Sequence, residues 1–106
     1  MYKVRLKAVT PNPVELPRVI EVLSESLRSS NCIVVEKPSW ILASCGGSVM
    51  VKVYIEMGKR VGELLGFEGV SIVELESLNA PDVVKLTSVI VAVLERAGIG
   101  ILMESS

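Results

Sequence analysis

Hydrophobic and polar positions alternate from the start of the chain, with Tyr2, Val4, Leu6 and Ala8 on one side and Lys3, Arg5 and Lys7 on the other. A period of two predicts a strand with one buried and one wet face. Thr10-Pro11-Asn12-Pro13 breaks the pattern, and the period then changes. Leu16, Val19, Ile20, Leu23 and Leu27 recur at helical spacing, while Glu15, Arg18, Glu21, Glu25 and Arg28 occupy the opposite side. These positions predict an amphipathic helix. Pro17 fits only in its first turn, where a missing N–H costs no hydrogen bond. A buried strand is expected over Cys32 to Glu36, ended by Lys37-Pro38.

The middle of the chain reads as two strands, Trp40 to Ser44 and Val49 to Glu56, joined by a hairpin turn through Cys45-Gly46-Gly47-Ser48. Met57 to Leu65 has the spacing of a short helix, weakened by Gly58 and Gly62. From Val70 the chain forms a second strand, helix and strand unit. Val70 to Ser77 is rich in β-branched residues and stops at Asn79-Ala80-Pro81. Asp82 then places a carboxylate at the positive end of a helix dipole. The predicted helix runs to about Ala97, and Gly98 supplies a left-handed residue before a strand from Ile99 to Glu104. Val83, Leu86, Ile90, Val93, Leu94 and Ala97 give it a core stripe. Val84, Val89, Val91 and Ala92 cover much of the remaining circumference, so a second burial surface is expected within the chain or on a partner.

Within the units at 2–36 and 70–104, Asn12 falls on Asn79, Leu27 on Leu94 and Val34 on Ile101 without a gap between them. Two such units in one domain are the composition of an α+β, ferredoxin-like sandwich. The expected architecture is an antiparallel sheet with both long helices on one face, and the 38–66 hairpin and short helix inserted between the repeats. The first strands of the two units should be antiparallel neighbours, bringing Lys3, Arg5 and Lys7 opposite Glu74 and Glu76.

Composition narrows the function classes. At 106 residues with half of them apolar, the chain supports one core and one domain, 1–106. A net charge of −1, without a basic run, disfavours nucleic-acid binding, and the charged strands lack the stacking aromatics that RNA-recognition sheets use. No apolar run is long enough to span a membrane and no signal-peptide core follows Met1, so a cytoplasmic protein is expected. Cys32 and Cys45 are expected as free thiols, and two Cys without any His form no familiar zinc pattern. Lack of His also removes the commonest general base. Cys45 beside Gly46-Gly47-Ser48 could act as a nucleophile, but a buried or hairpin thiol is the simpler reading. Glu74, Glu76 and Asp82 offer carboxylates, and no feature commits to catalysis, a cofactor or a metal.

The C-terminal residues carry a resemblance. Leu78-Asn79-Ala80-Pro81, Leu86-Thr87-Ser88-Val89-Ile90, Leu94-Glu95-Arg96-Ala97-Gly98-Ile99 and Ile101-Leu102-Met103-Glu104-Ser105 resemble the ACT domains of aspartate kinases and arginine sensors. The resemblance implies a regulatory module that pairs as a homodimer and senses an amino acid at the dimer or inter-repeat interface. It implies ligand contacts from Asn79, Ala80, Pro81 and Asp82, with Ser105 ending the facing strand. Asn79 and Asp82 also read as a turn former and a first-turn charge. The alternative is a structural or protein-interaction domain that assembles without a ligand.

Overall fold

The computed structural model describes residues 1–11, 13–46, 48–56 and 69–104. Strand β1 (Tyr2–Thr10) leads through a short 3-10 turn (Pro13–Glu15) into α1 (Leu16–Ser29). Strands β2 (Cys32–Lys37), β3 (Trp40–Cys45) and β4 (Val49–Glu56) follow, then β5 (Gly69–Ser77), α2 (Ala80–Arg96) and β6 (Gly100–Glu104). Among the described residues the six strands form one sheet in the order β2-β3-β4-β5-β1-β6, and every neighbouring pair is antiparallel.

Alternation along the strands decides which face meets the helices. Leu6 and Ala8 of β1, Ile41 and Ala43 of β3, Val51 and Val53 of β4, and Val73 and Leu75 of β5 project to one side. There they join Val19, Leu23 and Leu27 of α1 and Val83, Ile90 and Leu94 of α2 in a single buried cluster. Each Val, Leu or Ile among them contributes roughly 1.5–3 kcal/mol by leaving water. Both helices therefore cover the same face. Crossover handedness gives the same result: β1 and β2 run one way and β5 and β6 the other, so two right-handed crossovers in opposite directions place both helices on one side.

The helix ends follow from local chemistry. Pro17 lies in the first turn of α1, as its missing N–H requires. At the end of α2, Gly98 adopts φ +75°, and the Ile99 and Gly98 amides donate to the Leu94 and Glu95 carbonyls at 3.0 Å each. This is the Schellman closure expected of a glycine just past a helix. Arg18 Nη2 of α1 donates to the Ala97 carbonyl at 3.0 Å, tying the start of one helix to the end of the other.

Three expectations are corrected. The strand order is not that of a ferredoxin-like sandwich: the hairpin expected between the repeats enters the sheet itself, with β3 and β4 between β2 and β5. β5 therefore neighbours β4, where a four-stranded ferredoxin-like order would place β2. The cause is a meander, in which β2, β3, β4 and β5 each pair with the next strand in sequence. Second, β2 is an edge strand, not a buried one, with Ile33 and Val35 left 77% and 48% exposed. Third, Cys32 and Cys45 are disulfide-bonded, not free. They are direct register partners across β2 and β3, with Cα atoms 4.2 Å apart. The expected helix over Met57 to Leu65 lies outside the described residues.

Candidate functional site

The first turn of α2 is built by Asn79, whose extended backbone precedes the helix and whose Oδ1 accepts from the Asp82 amide at 3.4 Å. Such a cap satisfies one of the orphan amides at a helix start, worth about 1 kcal/mol. The Asn79 amide in turn donates to Ser77 Oγ at 3.0 Å. Asn79 is thus committed to holding the helix start. Ala80 is half-buried and Pro81 is exposed on the first turn.

Asp82 points elsewhere. Its carboxylate accepts from Ser48 Oγ at 3.0 Å, joining α2 to the β3–β4 turn. Gly46 takes φ +58° in that turn, a conformation open to glycine, and the Ser48 amide donates to the Cys45 carbonyl at 3.3 Å. Between turn and helix lies a cleft of about 410 Å³. Cys45, Val49, Leu86 and Val89 form its apolar wall, and Ser30, Ser48, Asp82 and Lys85 supply polar groups. Asp82 and Lys85 are three residues apart, so both project from one side of α2. The cleft thus presents a carboxylate and an ammonium about one helical turn apart beside an aliphatic wall. Its volume falls within the range of small-molecule sites, ~300–1,000 Å³.

Of the residues expected to contact a ligand, only Asp82 lines this cleft. Ser105 lies outside the described residues, and the strand leading to it, β6, is separated from β5 by β1. The α2 loop faces the β3–β4 turn rather than the last strand. Lys85, Ser48 and Ser30 were not singled out in the sequence. For Lys85 a signal existed, its i,i+3 spacing from Asp82. The other two are brought in by the path of the meander.

The sheet face away from the helices carries the predicted charge ladder. Lys3 pairs with Glu76 at 3.9 Å and Arg5 with Glu74 at 3.7 Å, in the register of β1 and β5. Lys7 reaches Glu56 at 4.0 Å. Tyr54 Oη donates to Glu74 Oε1 at 2.9 Å. Burial raises the Tyr54 phenol above its ordinary value, and the hydrogen bond to the Glu74 carboxylate raises it further. Among the described residues no cluster of three or more His, Cys, Asp or Glu is placed to hold a metal ion. Among them also, no helix is long and apolar enough to cross a membrane. Comparison with family models, with curated proteins and with solved structures finds no match to the chain.

Proposed function

We propose that the chain is a small-molecule-binding regulatory module, ACT-like in plan, that takes an α-amino acid in the cleft between α2 and the β3–β4 turn. One observation carries this reading: Asp82 and Lys85 stand on the same wall of a cleft with an aliphatic lining. The ligand's ammonium pairs with the Asp82 carboxylate and its carboxylate with the Lys85 ammonium, while its side chain lies against Val49, Leu86 and Val89. Charge-assisted hydrogen bonds of this kind are about twice as strong as neutral ones. A ligand held this way bridges the C-terminal unit and the hairpin, so binding stiffens the joint that the Ser48–Asp82 hydrogen bond already makes. The flanking strand, helix and strand units supply the ferredoxin-like part of the plan, widened by the hairpin. An intracellular setting accommodates the Cys32–Cys45 disulfide where cytosolic disulfides persist, as in hyperthermophiles.

A thermal-shift screen against the twenty amino acids tests this reading. A ligand that binds only the folded chain adds about 2.7 kcal/mol at a hundredfold excess over Kd. The expected result is a rise in Tm with one amino acid or a small set of them, lost in both Asp82→Asn and Lys85→Gln. No rise with any of the twenty, or a rise that survives both substitutions, overturns it.

A further inference from the structure

Cys32 opens β2 and Cys45 closes β3, so their disulfide lies at the end of the hairpin farthest from its turn. Cys32 is half-buried on an edge strand, with no strand beyond it among the described residues. Cys45 is 6% exposed and forms part of the cleft wall, which also carries Lys85 and Asp82. These two charges are not equally committed. Asp82 accepts a hydrogen bond from Ser48, whereas Lys85 makes no ion pair among the described residues.

We infer that Cys32 and Cys45 form a thiol–disulfide exchange site, which takes a low-molecular-weight thiol at Cys32 and releases Cys45 as the thiolate. Access selects the sulfur that is attacked. An incoming thiolate approaches along the line of the bond it breaks, from the far side. At Cys32 the side away from Cys45 is the open edge of β2. At Cys45 the side away from Cys32 is β4, where its register partner Val49 is 4% exposed. The leaving group selects the same direction. A sulfur departs faster the better its thiolate is stabilised, and a nearby ammonium stabilises it. Cys45 departs into the cleft that Lys85 shares.

In the first step the thiolate bonds to Cys32 Sγ, the bond between Cys32 and Cys45 breaks, and its electron pair goes to Cys45 Sγ. A second thiolate then attacks the sulfur that the first one brought, and Cys32 leaves as a thiolate. Two thiols are thereby oxidised to one disulfide, their two protons pass through solvent, and Cys32 and Cys45 end as thiols. Nothing need be bound in the cleft, so exchange and amino-acid binding stand or fall separately.

The test mixes the oxidised protein with excess reduced glutathione, quenches with acid, and reads intact mass and peptide maps, in buffer and in urea. The bond is expected to open in the folded chain at least as fast as in the unfolded one, with glutathione found on Cys32. Lys85→Gln should slow opening in the folded chain by about threefold or more, leave the rate in urea unchanged, and be rescued by Lys85→Arg. A bond that opens in urea but not in the folded chain overturns the inference, because it is then a structural staple only. So does glutathione found on Cys45, or a folded-chain rate that Lys85→Gln does not alter. A chain that forms no disulfide in oxidised glutathione overturns it as well. Circular dichroism is followed alongside, and a signal lost in step with opening counts against exchange in the native fold and overturns the inference too.

Discussion

Tyr54 shows how a single side chain takes its properties from register. It is opposite Trp40 on one side and Ile72 on the other, and its hydroxyl is spent on Glu74. Burial and that carboxylate both favour the neutral phenol. The folded value is raised above the unfolded one, so Tyr54 contributes stability that is complete below the ordinary tyrosine pKa of 10.0 and is lost as pH rises through the folded value. Absorbance titration of tyrosinate should resolve a component above that ordinary value, absent in Tyr54→Phe, whose stability should also fall less steeply at alkaline pH. The pairing of Lys3 and Arg5 with Glu76 and Glu74 was legible from alternation alone, because it needs only the neighbouring strand. Lys7 was not: its partner Glu56 comes from β4, which lies beyond β5. Asn79 and Asp82 were legible as a helix start, whereas the use of Asp82 in a cleft depends on a turn thirty-four residues earlier in the chain.

Among the elements, the β2–β3 hairpin sits at an exposed margin. It forms one end of the sheet, and β2 has a neighbour on one side only. Its disulfide spans a sequence separation of 13 and offsets that weakness by restricting the unfolded chain. A loop of this size is worth about 3 kcal/mol. Urea unfolding of the reduced protein, or of a Cys32→Ala, Cys45→Ala variant, should show a loss of that order, and no loss in the variant on adding reductant. The bond was within reach of the sequence. Two strands meeting at Pro38 and Ser39 pair Lys37 with Trp40, and counting outward brings Cys32 to Cys45. Composition pointed instead to free thiols, because residue counts carry no register. The helices were more legible, since a 3.6-residue stripe and Gly98 are local signals.

For the whole molecule, β1 is an interior strand that ties the edge strand β6 to the rest of the sheet, paired with β5 on one side and β6 on the other. Leu6 at its centre is fully buried. Leu6→Ala should lower stability by about 2–5 kcal/mol in urea unfolding, by leaving a cavity where strands and helices meet. The neighbouring of β1 and β5 was foreseen from the repeat, but the complete strand order was not, because a repeat says which segments are alike and not how far a hairpin will push them apart. The position of β1 between β5 and β6 also bears on how the chain is made. Its residues leave the ribosome before those of the other five strands, yet both of its partners are encoded after residue 68. β2, β3, β4 and β5 can pair in sequence as they emerge, while β1 waits for β5 with its edges unpaired. The first of these six strands to be made is thus among the last to be paired.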